Sequence, residues 1–158
     1  MTKARSFLKY WLPLLVWMAV IFSASADTQS WQHSSRIIAP LLRWFFPHIP
    51  EPTVNEVIVF ARKCAHLTEY AILSVLFLRA LRKPVKNDPR PWPWRQVGWC
   101  ILFVALYACS DEFHQRFVPT RQPSIRDVII DTAGGLLGLL VLWAAASWRR
   151  VRRPSPPS

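Results

Sequence analysis

The chain has 158 residues, 52% of them hydrophobic and nine of them Trp, which is more apolar surface than a soluble domain of this size ordinarily carries. Its formal net charge of +11 would suit nucleic acid if the bases shared one face, but they form blocks that flank apolar stretches. Phospholipid headgroups explain such blocks better, and no nucleic-acid partner is expected. Cys64, Cys100 and Cys109 are odd in number, lack C-x-x-C spacing and lie in apolar segments, so they read as inert packing residues.

Residues 1–9 form a basic tail with Lys3, Arg5 and Lys9. The apolar run that follows predicts a first helix over 7–26. Ala24-Ser25-Ala26 resembles a signal-peptidase site, so cleavage competes with retention. The uncharged stretch 10–26 is longer than a usual signal core and carries Pro13 and two Trp, and we expect it to be retained. Over 34–46, Ile37, Ile38, Leu41, Leu42, Phe45 and Phe46 recur at helical spacing and predict a short amphipathic helix on the membrane surface, ended by Pro47 and Pro50. A second membrane helix is predicted over 57–78, apolar only beyond Tyr70. The proline-rich stretch 83–94 reads as a loop. A third helix over 97–117 is apolar to Cys109 and then turns polar, and a fourth spans 128–148. Residues 149–158 form a basic, proline-rich tail read as disordered. The expected architecture is an all-α polytopic membrane protein, with one domain of four transmembrane helices over 10–148.

Orientation follows from the connections. The N-terminal tail, the loop between the second and third helices and the C-terminal tail hold thirteen Lys and Arg against one acid, Asp88. The other two connections, with their helix ends, hold seven bases against eight acids. The positive-inside rule places both termini in the cytoplasm.

An ionisable side chain at membrane depth costs about 2.5–3.5 kcal/mol on insertion scales, so a cluster of them must face protein or a wet cavity. On the second helix Arg62, Lys63, His66, Glu69 and Tyr70 fall within an arc of roughly 120°. Asp111, Glu112, His114 and Gln115 share one side of the third. On the fourth, Asp127, Asp131, Gly134 and Gly138 form a stripe roughly 60° wide. The two glycines make a small-xxx-small motif for close helix packing, which aims the aspartates into the bundle. By topology these polar ends meet at the outer leaflet. An architectural reading, in which Lys63 or Arg62 pairs with Glu69 or an aspartate, competes with a working site. His66-x-x-Glu69 and Asp111-x-x-His114 present metal-ligand pairs at i, i+3, but the spacing is unspecific and no metal or other cofactor is expected. No Gly-rich phosphate loop, G-x-S-x-G or paired Cys site is present.

Three runs carry a family resemblance: Lys63-Cys-Ala-His66-Leu-Thr-Glu69-Tyr70-Ala-Ile-Leu73; Ser110-Asp111-Glu112-Phe-His114-Gln115-Arg116-Phe-Val-Pro119-Thr-Arg121; and Ser124-Ile-Arg126-Asp127-Val-Ile-Ile-Asp131-Thr132-Ala-Gly134. The chain resembles the VanZ-like family of small bacterial membrane proteins, and Ile21-Phe22-Ser23 also fits its pattern. Thr120 departs from the family's usual Gly, and Asp131 from a common Asn. The resemblance implies a multi-pass protein of the bacterial inner membrane and cell envelope, in a family linked to glycopeptide resistance, notably to teicoplanin. It supplies no settled reaction.

Three functions fit these residues. An enzyme at the outer leaflet would act on an envelope lipid or lipid-linked sugar, with His66 and Glu69, or His114 and Asp111, as candidate acid and base. Lys63, Arg116 and Arg121 would hold phosphate, and Tyr70, Glu112, Gln115, Ser124, Asp127 and Asp131 would complete the substrate site. A non-catalytic module would bind such a headgroup, a glycopeptide antibiotic or a partner protein. A proton-coupled carrier would use the intramembrane acids and His. Membrane lipids are partners under all three.

Overall fold

The computed structural model describes residues 3–26, 30–85, 88, 90–118 and 124–152. Six helices carry them: α1 Lys3–Tyr10, α2 Leu12–Ala26, α3 Ser30–Phe45, α4 Glu51–Arg82, α5 Trp94–Gln115 and α6 Ile125–Val151, with no strand among the described residues. The first apolar run is thus two helices bent by 40° at Trp11. Pro13 supplies the cause, because its missing N–H leaves the Lys9 carbonyl without its i+4 donor.

α4 extends well beyond the expected 57–78. Its 32 residues reach about 48 Å, against a hydrocarbon core of about 30 Å. Pro52 sits in its first turn, where no backbone donor is needed, and Lys83 stops it in the left-handed region at φ 46°, donating its N–H to the Arg79 carbonyl at 2.9 Å ahead of Pro84. α6 starts three residues before expectation because Ser124 caps it, accepting the Arg126 N–H at 3.2 Å. α3 takes in the expected 34–46 except Phe46, begins four residues earlier, and contains Pro40. It leaves Ile37, Leu41, Trp44 and Phe45 exposed, and at the turn into α4 Arg43 meets Glu51 at 2.5 Å.

α4 and α6 are each long and apolar enough to cross a membrane, and bent α1–α2 is a third if it counts as one span. α5 is not among them. Arg95 and Gln96 at its start and Ser110 to Gln115 at its end leave only the middle apolar. Only 22% of the most apolar stretch of α6 is buried inside the molecule, while Leu136, Leu137, Leu140 and Val141 face outward, as lipid contact requires.

α6 packs on α4 more extensively than any other helix pair, with α5 against both and α2 laid over α4 and α5. Gly134 and Gly138 set that contact. A Cβ on Gly138 would stand 2.5 Å from the Ala71 carbonyl oxygen, and one on Gly134 would collide with the Leu67 carbonyl. Gly135 turns to Val104 of α5. Ser74 bridges α4 and α6, donating to the Gly135 carbonyl at 2.8 Å. The core around this contact gathers Leu14, Ile21, Tyr70, Leu73, Val104 and Ala108. A second cluster joins Leu78, Val97, Cys100 and Leu139. Of the cysteines expected to be packing residues, only Cys100 is one; Cys64 and Cys109 lie on outward helix faces and are exposed.

At the other end of α4, Asp88 clamps the connection to α5. It accepts from Arg90 Nη2 at 2.7 Å and Arg82 Nε at 3.0 Å. The Arg90 hydrogen bonds first, then Arg82, hold its carboxyl well below the usual carboxylate range. A depressed carboxyl contributes above its unfolded pKa and is lost only as pH falls through the folded value, so the clamp stays closed at neutral pH.

Overpacking the α4–α6 contact separates its role from ordinary helix propensity. Gly138→Leu should destabilise the detergent-solubilised protein by about 1–3 kcal/mol. Gly98→Ala, where an added Cβ meets nothing within 4 Å, should be neutral or stabilising by up to about 1 kcal/mol. Thermal unfolding followed by circular dichroism reads both, and equal effects would remove the close-approach argument.

Candidate functional site

Four helices bring polar groups to one end of the bundle. The α6 stripe does so first: with Gly134 and Gly138 against α4, Asp131 three residues earlier faces inward and is only 3% exposed. Its carboxyl interacts electrostatically with those of Asp111, Glu112, Asp127 and Glu69. Five acids from α4, α5 and α6 therefore share one neighbourhood.

α5 contributes the most enclosed members. Asp111, 2% exposed, accepts the Ser25 hydroxyl at 2.6 Å and the Gln115 amide at 3.2 Å, both on Oδ2. Its Oδ1 is buried with no partner among the described residues. Glu112 is buried too and accepts the Ser124 backbone N–H at 2.7 Å, so one acid both joins the cluster and ties down the cap of α6. His114 packs its ring against Phe22 with centroids 4.2 Å apart, and its buried Nδ1 has no partner among the described residues.

On α4, His66 Nδ1 lies 3.6 Å from Glu69 Oε2, both side chains being about a quarter exposed. Tyr70 is fully buried in the α2–α4–α5 core, yet its hydroxyl has no partner among the described residues. It interacts electrostatically with Asp111 and Asp131. Two clefts flank the cluster. One of about 400 Å³ between α2 and α4 is lined by Trp17 and Glu69, and one of about 250 Å³ between α5 and α6 by Glu112, Arg116 and Ser124. Neither is lined by all of His66, Glu69, Asp111, His114 and Asp127.

The expected phosphate-holding bases behave differently. Lys63 and Arg116 are exposed, the latter 6.0 Å from the Phe113 ring centroid, and Arg121 lies outside the described residues. Among the described residues, no ion pair joins Asp111, Asp127 or Asp131 to a lysine or arginine. No group of three His, Cys, Asp or Glu side chains among the described residues is arranged to hold a metal ion.

The family model of VanZ/LLP1 matches residues 10–146. The chain belongs to the VanZ/LLP1 family. No curated protein and no solved structure matches it. In this VanZ/LLP1 protein, the matched region includes all of α2 and every candidate residue named above.

Sequence reasoning missed the contribution of α2. Trp17 donates to the Glu69 backbone carbonyl at 2.9 Å, Tyr107 of α5 donates to the Met18 carbonyl at 2.7 Å, and Ser25 reaches Asp111. A signal was present: Leu14, Ile21 and Ser25 recur at spacings of seven and four, so Ser25 continues the buried stripe of α2. The Ala24-Ser25-Ala26 tripeptide drew attention to cleavage instead. Ser23, in the run that matched the family pattern, only bonds back to the Ala19 carbonyl at 2.8 Å on the outward face.

Ser25→Ala should destabilise by about 1–3 kcal/mol by stripping a donor from a buried carboxylate. Ser23→Ala should shift stability by less than about 0.5 kcal/mol. Equal unfolding temperatures for the two variants would mean that α2 does not support Asp111.

Proposed function

We propose that this VanZ/LLP1 protein crosses the bacterial cytoplasmic membrane four times with both termini inside, and that its acidic cluster binds the hydroxyl-rich headgroup of an envelope lipid or lipid-linked sugar at the outer leaflet. The observation that carries the reading is a group of inward aspartates, Asp111, Asp127 and Asp131, with no lysine or arginine paired to them among the described residues, next to hydrogen-bonding atoms left without partners there. Sugar hydroxyls donate and accept at once, so they match the open Tyr70 hydroxyl and Asp111 Oδ1 together. A phosphate would be repelled by the acidic cluster, and its place is the rim, near exposed Lys63 and Arg116. Occupying or masking such a headgroup would link the protein to glycopeptide resistance of the teicoplanin type.

A catalytic reading has one specific support, the approach of His66 to Glu69. That pair has the composition of an acid and base facing a headgroup. It uses the same cluster and differs only in whether the bound lipid is changed.

The topology is supported by the thirteen-to-one ratio of bases to acids on one side. Reporter fusions after Pro89 and at Ser158 should be active only with a cytoplasmic reporter, and fusions near Pro50 and Thr120 only with a periplasmic one. An inside signal at Thr120 would place the cluster on the wrong side of the membrane.

Isosteric variants test the site. Glu69→Gln, Asp111→Asn and His114→Gln preserve shape, so they should leave membrane abundance near normal and abolish the envelope or teicoplanin phenotype. Lys63→Arg, at an exposed position, should be tolerated. Wild-type phenotype at normal abundance in all three isosteres would leave the cluster as architecture.

A further inference from the structure

The basic end of the bundle holds a second site of opposite character. A cleft of about 560 Å³ opens between the C-terminal ends of α4 and α6, beneath the connection that Asp88 clamps. Glu69 and Arg79 are ten positions apart on α4, so the cleft lies about 15 Å along the helix from the acidic cluster.

The lining of the cleft is part cationic and part aliphatic, and both α4 and α6 supply each kind. Arg79, Arg82, Arg149 and Arg150 line it together with Leu78, Leu142 and Ala146. Its one acid is already engaged, since Asp88 is held by Arg82 and Arg90. Arg82 is engaged as well, because its Nη1 and Nη2 donate to the Pro91 and Arg90 carbonyls at 3.0 and 2.8 Å. It positions the loop. Arg150 gives Nη2 to the Arg90 carbonyl at 2.5 Å.

Two guanidinium groups retain their hydrogen-bonding capacity. Arg79 is half-buried against the Tyr10 ring at 5.8 Å, and neither it nor Arg149 has an acceptor among the described residues. Trp92 also lines the cleft, and its buried indole N–H has no acceptor among the described residues. A half-buried guanidinium and a buried N–H require an acceptor, and an anionic one fits the charge of the lining.

We propose that this cleft binds an anionic glycerophospholipid, with its phosphate between Arg79 and Arg149 and an acyl chain along Leu78, Leu142 and Ala146. The aliphatic part of the lining decides for a lipid over a free anion, because inorganic phosphate has nothing to place there. Basic pockets between membrane helices recognise headgroups by this combination of charge and apolar surface. The site shares no residue with the acidic cluster, so each reading survives the failure of the other.

Native mass spectrometry of the full-length protein in mild detergent tests it, with phosphatidylglycerol, phosphatidylcholine of the same acyl chains, and inorganic phosphate as separate probes. The wild type should retain one phosphatidylglycerol in preference to phosphatidylcholine. Arg79→Gln with Arg149→Gln should weaken that binding about 25-fold, at roughly fivefold per guanidinium. Arg36→Gln with Arg126→Gln removes the same charge from exposed positions elsewhere and should leave it unchanged. If the Gln pair does not give a monodisperse protein, Ala146→Phe fills the apolar half with every arginine intact and should abolish the preference. Equal retention of the two lipids, wild-type binding by the Gln pair or by Ala146→Phe, or displacement of phosphatidylglycerol by inorganic phosphate would each overturn the assignment.

Discussion

The backbone-to-backbone approach of α6 to α4 is the contact on which the other features rest. Gly134 and Gly138 let the two helices meet where any side chain would strike the carbonyls of Leu67 and Ala71. Because Asp131 and Asp127 lie on the same stripe, one turn and two turns before the glycines, the contact turns these acids inward. Their neighbours on α4 and α5, Glu69, Asp111 and Glu112, complete the group. A bundle spaced by larger residues would have room for water or countercharge between these carboxylates.

The bundle is electrostatically polar along its length. Acids collect around the start of α6, and arginines collect where α4 and α6 end. The two ends are stabilised by different means. At the basic end Asp88, Arg82 and Arg90 interlock with backbone carbonyls, and the connection is fixed by hydrogen bonds. At the acidic end Asp111 is held by neutral donors, Ser25 and Gln115, which do not cancel its charge. Neutral support suits a site that has to engage something else.

Much of this was legible in the sequence, because helical arithmetic is local. The inward stripe on α6, the shared face of His66, Glu69 and Tyr70, and the amphipathic α3 follow from spacings of three and four residues. Helix ends were less legible: α4 continues past Leu78 to Lys83, where Pro84 rather than a loss of hydropathy ends it. The polar ends of α5 leave it outside the helices that are long and apolar enough to span alone, although charge counting treats it as a span. Contacts between distant segments were not legible at all. Ser25 and Asp111 are 86 residues apart, and only packing of α2 on α5 joins them. Exposure of Lys63 and Arg116 was also beyond reach, since a helical arc fixes direction but not how far the neighbouring helices extend.

The central claim is that the open atoms of the acidic cluster serve a hydroxyl-bearing ligand. Tyr70 tests it most directly, because its hydroxyl is fully buried and has no partner among the described residues, so Tyr70→Phe removes no internal hydrogen bond seen there. Lipids that copurify with the native protein and with Tyr70→Phe can be identified by mass spectrometry at matched protein amounts. The account predicts a sugar-bearing envelope lipid with the native protein and a two- to tenfold loss of it, by roughly one hydrogen bond, in an equally abundant variant. The same lipid retained to the same extent by both proteins would contradict it.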